Sequence, residues 1–277
     1  MRTQSRDTSE IIERVMIHGH RQFSSIQRFQ HVRSLTGSIS AMRSTDHFSR
    51  ADALRQRYGM NWTGDQSVAE APPFDIQSTL FTVMHLADDL RATIVLTGSV
   101  ACCLYGFPRM VHDIDVVMTA STAASISQQL MTSWLPLSCS STQWSLVDPS
   151  TLVKVDLMTT HGRIPTDLLI DRRRSLQITD DEAITVLSAE DVVLTRLAWY
   201  HDQGTFPDDQ WNDLMGVVKV HTPFLDQLYL RTQAKVLHIE PILDQLLTDC
   251  DEGDLLHVES YGYANRRSSL ESRAGSL

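Results

Sequence analysis

The chain has 277 residues, of which 42% are hydrophobic and 21% charged, an ordinary composition for a globular protein. Its net charge of −10 is uneven: residues 1–72 hold ten Arg, no Lys and seven acidic residues, so the remainder is strongly acidic. An acidic body argues against a broad nucleic-acid footprint. No run approaches the ~18 apolar residues of a membrane span. The four cysteines lack zinc-ligand spacing, which predicts reduced thiols and a cytoplasmic location.

The N-terminal part of the chain is rich in Ser, Gln, Arg and His and lacks sustained hydrophobic periodicity. We expect short helices near Glu10–Ile17 and Ala51–Tyr58. The rest of residues 1–73 is predicted to be a flexible or weakly structured extension. The paired prolines Pro72 and Pro73 favour extended backbone, so they mark the end of this extension.

Helical and strand patterns alternate over residues 74–187, which predicts an α/β domain there. Apolar residues at three- and four-residue spacing indicate the helices, and short β-branched runs indicate the strands. An Asp148-Pro149-Ser150 turn favours a hairpin between the last two strands. The predicted elements are a helix over 74–90, a strand over 92–96, a short helix ending at 105, a strand over 113–118, a helix over 121–134 with Ser121 as N-cap, and strands over 143–147 and 152–158.

The pattern becomes helical from Ser188, where Ser188-Ala189-Glu190-Asp191 resembles a capping box. A helical subdomain is predicted over residues 188–250 and a disordered tail over 251–277. The expected fold class is therefore α/β (α+β), with a small mixed β-sheet core and a C-terminal helical subdomain. After a break at 204–207, the further helices are predicted over 208–221, 223–237 and 241–247.

Asp113 and Asp115 alternate along one predicted strand, so their side chains project to the same face. Two like charges held side by side on an otherwise apolar strand are costly unless a cation joins them. A divalent metal is the usual remedy, and Mg²⁺ is bound by a few carboxylates together with substrate phosphates. Asp156, on a later strand, would complete the metal shell or position an attacking hydroxyl. This arrangement indicates nucleotide chemistry.

The Gly98-Ser99 turn precedes these acids and begins a short helix. Such a turn lets backbone N–H groups approach a phosphate without a Cβ in the way. The turn alone is weak evidence, and so is an isolated Asp-x-Asp. Their joint occurrence with a later acid on a strand favours nucleotidyl transfer assisted by metal ions.

The run from Leu96 to Asp115 resembles the minimal form of the nucleotidyltransferase superfamily that includes DNA polymerase beta. There, a Gly-Gly or Gly-Ser turn precedes an Arg-x-Thr-x-Asp-hydrophobic-Asp strand; this chain has Val111 where that pattern has Thr. The chain is also similar, over about residues 92–247, to bacterial nucleotidyltransferase-like proteins related to toxin–antitoxin components. The runs that carry this likeness are Lys154–Leu157, Arg172–Arg174, Ser188–Asp191 and Gln210–Asp213.

The resemblance implies that three carboxylates are catalytic and bind Mg²⁺ or Mn²⁺, namely Asp113, Asp115 and Asp156. Asp156 would activate or orient the acceptor hydroxyl. The resemblance also implies that Gly98 and Ser99 hold the triphosphate of an NTP such as ATP.

Two basic residues near these acids each have two interpretations. Arg109 either neutralises a phosphate of the nucleotide or forms a structural loop pair. Lys154 shares a strand face with Asp156, so it either contacts phosphate or pairs with that acid. The aromatic residues Trp199, Tyr200 and Trp211 resemble a base-stacking set, but aromatics at helical spacing more often belong to a core.

The leading hypothesis is an enzyme, a Mg²⁺-dependent nucleotidyltransferase that moves an NMP from an NTP to a hydroxyl acceptor on RNA, a protein or a small molecule. The alternative is a catalytically inert module on the same fold that binds nucleotide or a partner protein. Val111 and the acidic body of the chain motivate that alternative.

Overall fold

A computed structural model of the chain contains one mixed sheet with helices around it. This mixed α/β architecture is the one that the sequence predicted. Among the described residues, no helix is both long enough and apolar enough to cross a lipid bilayer. The structure describes residues 2–4, 8–43, 50–60, 74–160, 163–204 and 208–251.

The seven strands have the order β3-β4-β5-β2-β1-β7-β6. The central strand β2 pairs antiparallel with β1 and parallel with β5, while β7 pairs parallel with β1. Apolar residues of β1 and β2 such as Leu96, Ile114 and Val116 are fully buried, and each contributes about 1.5–3 kcal/mol through burial. The strands are β1 Ile94–Thr97, β2 Asp113–Met118, β3 Leu135–Cys139, β4 Gln143–Val147, β5 Lys154–Met158, β6 Arg174–Gln177 and β7 Ala183–Val186.

Most helices of the body lie where they were predicted, but the short helix at Thr166–Asp171 was not predicted. The strands over 113–118 and 143–147 and the helix over 208–221 have the predicted bounds. The cap of α6 is an exception, because Thr119 and not Ser121 accepts the hydrogen bond from the Thr122 N–H. The helices are α1 Glu10–Gln22, α2 Ser25–Arg43, α3 Arg50–Tyr58, α4 Ile76–Asp89, α5 Gly98–Tyr105, α6 Ala120–Leu130, α7 Thr166–Asp171, α8 Ala189–Gln203, α9 Asp208–His221, α10 Gln227–Leu237 and α11 Glu240–Cys250, with a short 3-10 helix at Thr222–Phe224.

The N-terminal extension contains three helices that pack on the body of the protein. Phe29 and Val32 of α2 belong to the main core. The buried Arg28 donates hydrogen bonds to the carbonyl oxygens of Leu104 (2.8 Å) and His20 (2.8 Å), so it ties α1 and α2 to the C-terminal end of α5. Residues 8–43 are therefore mostly helical and packed, and not weakly structured as predicted. The two short helices expected near residues 10–17 and 51–58 are present as parts of α1 and α3.

Helix α8 begins as the sequence predicted, because the Ser188 side chain accepts a hydrogen bond from the Asp191 N–H at its start. Asp191 is completely buried. Its carboxylate accepts hydrogen bonds from Ser188 Oγ (2.7 Å), Tyr229 Oη (2.7 Å) and Arg172 Nε (3.2 Å). Arg172 is thus bound within the fold. The predicted tail lies outside the described residues after Asp251.

Two glycines allow α9 to touch the loop that follows α5. A Cβ on Gly106 would lie 2.7 Å from the backbone of Gly216 and Val217. A Cβ on Gly216 would in turn lie 3.0 Å from the Phe107 ring. The main chains of the sheet domain and the helical subdomain are therefore in direct contact at this point.

Candidate active site

The pairing of β2 with β5 brings the three predicted acids together. In this parallel register Asp115 lies opposite Asp156, and Asp113 lies opposite Lys154. Paired residues of neighbouring strands project to the same face, and residues two apart share that face. Carboxylate oxygens of Asp113, Asp115 and Asp156 accordingly lie within 4.8 Å of one another.

One carboxylate oxygen in this cluster is buried without a protein partner. Asp156 is only 7% exposed, and its Oδ1 atom accepts no hydrogen bond from the described residues. Buried polar atoms are nearly always satisfied, so an orphaned acceptor in native proteins calls for an ion or a water. The three carboxylates can each offer one oxygen, and oxygen ligands are those of a hard divalent cation such as Mg²⁺ or Mn²⁺.

The electrostatics of Asp115 reflect the crowding of negative charge. Burial, and after it the charges of Asp113 and Asp156, raise the pKa of its carboxyl to about 7, although Arg196 and Lys154 act in the opposite direction. A carboxyl with this pKa holds a proton over part of the neutral range unless a stronger cation replaces that proton.

Lys154 provides one cation inside the cluster. Its ammonium Nζ lies 3.0 Å from Asp113 Oδ2 and 2.9 Å from Asp156 Oδ2. Burial lowers the pKa of Lys154, but the two carboxylates outweigh that effect and the pKa is raised overall. Of the two interpretations of this residue, the structure shows the pairing with Asp156 and extends it to Asp113.

Gly98 stands directly beside Asp115 at the start of α5. Its φ of +68° lies in the left-handed region, and a Cβ there would lie 2.6 Å from Asp115 Cγ. Glycine is therefore required both by the backbone conformation and by the neighbouring carboxylate. The residue before it, Thr97, is the N-cap of α5, but its side chain accepts no hydrogen bond from the first N–H groups of the helix.

The Ser99 hydroxyl lies between two guanidinium groups. Ser99 Oγ accepts hydrogen bonds from Arg109 Nη2 at 3.1 Å and from Arg196 Nη2 at 3.2 Å. Arg109 is also bound at both ends of its fork by Asp213, at 2.6 Å from Nε to Oδ1 and 2.6 Å from Nη2 to Oδ2. Of the two interpretations of Arg109, the structure therefore shows the structural pair.

Sequence reasoning did not find Arg196 or Asp213. Both belong to the helical subdomain, and they reach the Gly98-Ser99 turn and Arg109 across 97 and 104 residues of sequence. In the sequence, the only indication of Asp213 was the Gln210–Asp213 run, and no function was assigned to Asp213 there.

The cysteines and aromatic residues that the sequence singled out are mostly packing residues. Burial raises the pKa of the Cys102 and Cys103 thiols to about 12, so both are packing residues of α5 and not nucleophiles. Trp211 and Tyr200 are buried, as the core interpretation predicted, whereas Trp199 is 45% exposed.

Comparison with known proteins gave structural similarity alone: no family model and no curated protein matches the sequence. A nucleotidyltransferase candidate from Thermotoga maritima is 21% identical and covers 47% of this chain and 89% of its own, with a TM-score of 0.37. ANT(2″)-Ia, solved in complex with adenylyl-2″-tobramycin, is 10% identical and covers 58% and 97%, with a TM-score of 0.43.

A third similar structure is an antigenic nucleotidyltransferase-like protein from Paracoccidioides brasiliensis. It is 17% identical and covers 62% of this chain and 91% of its own, with a TM-score of 0.38.

Proposed function

We propose that this protein is a metal-dependent nucleotidyltransferase that moves an NMP from an NTP to a hydroxyl acceptor. The observation that supports it most is the convergence of carboxylate oxygens of Asp113, Asp115 and Asp156, together with the orphaned Oδ1 atom of Asp156. Lys154 binds only Oδ2 of Asp156, so Oδ1 is left for a cation ligand or a water.

The three carboxylates would hold Mg²⁺ or Mn²⁺, which stabilises the negative charge that develops on the reacting phosphate. The acceptor oxygen forms a bond to the α-phosphorus of the NTP, and the bond from that phosphorus to the diphosphate breaks. The hydroxyl proton would pass to Asp156, the acid to which the resemblance assigns activation of the acceptor. The diphosphate leaves with the bonding electron pair.

The Gly98-Ser99 turn would bind the phosphate chain. Gly98 keeps the space beside Asp115 free of a side chain, and the turn opens a helix whose first N–H groups lack a side-chain cap from Thr97. An anion at this end of a helix is stabilised by those N–H groups and by the helix dipole. We propose ATP as one nucleotide substrate, and a hydroxyl on RNA, a protein or a small molecule as the acceptor.

The test is transfer of label from α-³²P-NTPs by purified protein in the presence of Mg²⁺ or Mn²⁺, with RNA, protein and small-molecule acceptors supplied in parallel. We expect covalent labelling of one acceptor class, release of diphosphate, and loss of both in Asp113→Asn. Thr119→Ala is a matched control, because Thr119 caps α6 away from the acids. Absence of labelling in every acceptor class would count against the proposal.

One observation favours a second candidate, an inert module that binds nucleotide or a partner protein. The Lys154 ammonium already neutralises Asp113 and Asp156, which is part of what a metal would do. In that case nucleotide or partner binding would persist without turnover, and Asp113→Asn would leave the effect of the protein in cells intact.

A further inference from the structure

We propose that Arg196, and not Arg109, is the residue that binds the phosphate chain of the nucleotide beyond its α-phosphate. This inference rests on the proposed function and assigns a binding role in the same site to a residue of the helical subdomain. It was not predictable from the motif that carries the resemblance, because Arg196 lies outside that motif.

Arg196 extends from α8 to the start of α5. Its guanidinium donates hydrogen bonds to Ser99 Oγ at 3.2 Å and to Tyr200 Oη at 3.3 Å, and both of these partners are neutral hydroxyls. Within the described residues, no carboxylate lies within 4.0 Å of its nitrogens. This half-buried guanidinium thus has no direct ion pair, and the charges of Asp115 and Asp213 act on it only from a longer distance.

Arg109 differs in this respect, although it contacts the same serine. Two hydrogen bonds of 2.6 Å join it to Asp213, whose side chain is only 5% exposed, and a third donates to the Met110 carbonyl at 2.7 Å. Its charge is therefore neutralised inside the protein. Transferring it to a phosphate would leave Asp213 buried and unpaired, which is costly.

The chemistry around Arg196 selects a phosphate. A planar guanidinium fork matches phosphate oxygens in geometry and charge, and burying a charge without a counter-ion is unfavourable until an anion arrives. Ser99 Oγ accepts from both arginines and so uses both of its lone pairs. Its own O–H is consequently left to donate, and it would donate to the same anion.

The location of this group decides which phosphate it contacts. The three acids must lie next to the phosphorus that reacts. Gly98 lies directly beside Asp115, so it is close to that phosphorus as well. Ser99 follows Gly98 along α5 and accepts a hydrogen bond from Arg196, so a phosphate chain that runs from the acids along this turn reaches Arg196 with its β- and γ-phosphates. There, Arg196 stabilises the charge of the diphosphate as the bond to the α-phosphorus breaks.

The experiment is calorimetric titration of the full chain with AMP, ADP and ATP at fixed Mg²⁺ and without acceptor. For wild type we expect affinity to increase with phosphate number. In Arg196→Gln, the Kd for ATP should rise about tenfold or more, while the Kd for AMP changes less than about twofold. Arg231→Gln is the matched control, because that arginine pairs with Asp244 on the surface of the same subdomain.

A conservative variant separates binding from support of the fold. Arg196→Lys keeps the charge but loses the fork, so it should weaken ATP binding by about three- to tenfold with an unchanged thermal midpoint. The proposal is overturned if either folded variant keeps the wild-type ratio of ATP to AMP affinity, or if wild type binds ATP no more tightly than AMP. Phosphate-dependent binding without any transfer would overturn the proposed function and leave this assignment standing.

Discussion

Asp115 on β2 lies opposite Asp156 on β5, two residue pairs further along the strands than the pair of Asp113 and Lys154. Because the two strands are parallel and in register, all four side chains share one face of the sheet. The site therefore contains an internal cation among its acids. The charges of this face give the following predictions.

Lys154→Gln should bind Mn²⁺ about tenfold more tightly than wild type in the absence of nucleotide, because the ammonium competes for oxygens of Asp113 and Asp156. The measurement is calorimetric or electron paramagnetic titration with Mn²⁺. Lys235→Gln, an exposed lysine in the last turn of α10, is the control and should not differ from wild type. Weaker Mn²⁺ binding by Lys154→Gln would show that the lysine supports the metal and does not compete with it.

Asp115→Asn should stabilise the metal-free protein, and increasingly so as pH rises. The pKa of Asp115 is raised from an ordinary 3.8 to about 7 in the folded chain, so the folded state retains a proton that the unfolded state has lost between these values. Stability from this group is therefore lost as pH rises from about 4 to about 7. Above pH 7 the variant should gain about 2 kcal/mol or more in free energy of unfolding. Denaturant titrations in EDTA at several pH values measure this, and a gain independent of pH would contradict it.

Gly98→Ala should abolish Mn²⁺ binding and nucleotidyl transfer, because the new Cβ would displace the Asp115 carboxylate. Gly204→Ala is a matched control. Gly204 has nearly the same φ, +65°, but open space around its Cα. Both variants should lose about 1 kcal/mol of stability from the left-handed backbone, and the additional loss in Gly98→Ala reports the overlap. Equal Mn²⁺ affinity in the two variants would disprove the steric argument.

Glu13→Ala should destabilise the protein by about 3 kcal/mol or more, because it leaves a buried charge on Lys219 without its partner. Lys219 is 0% and Glu13 2% exposed, and Nζ lies 2.5 Å from Oε1. Arg14→Gln, which breaks a more exposed pair with Glu10 on the same helix, should cost less than about 1 kcal/mol. The two free energies of unfolding by denaturant decide the matter. A loss for Glu13→Ala no larger than that for Arg14→Gln would contradict the prediction that the buried pair is the more costly one to break.

Local sequence patterns were sufficient for the elements that carry the acids. The strand over Asp113–Met118 and the helix over Asp208–His221 have the bounds that their periodicity predicted. The strand at Leu135–Cys139 escaped prediction because it is a half-exposed edge strand with Pro136 beside an irregular register. The strands at Arg174–Gln177 and Ala183–Val186 have only four residues each, and the first of them is largely exposed, so both gave too short a pattern to be recognised.

The remainder of the site depends on contacts that no local pattern contains. Strand periodicity predicted that Asp113 and Asp115 share one face, whereas the place of Asp156 beside them was an expectation from the resemblance and depends on the pairing of β2 with β5. The contacts of Arg196 with Ser99 and of Arg109 with Asp213 join segments about a hundred residues apart. The N-terminal helices were underestimated for the same reason: polar residues such as Arg28 make their contacts with carbonyl groups of distant helices.

The contact of Gly106 with Gly216 has a consequence for how an acceptor reaches the reacting phosphorus. Any hinge that swung α9 away from α5 would have to pull apart two polypeptide backbones with no side chain between them. We therefore expect these two helices to travel together when substrates bind. A large acceptor would then reach the site between the loops that surround it, and not through a gap opened between α5 and α9.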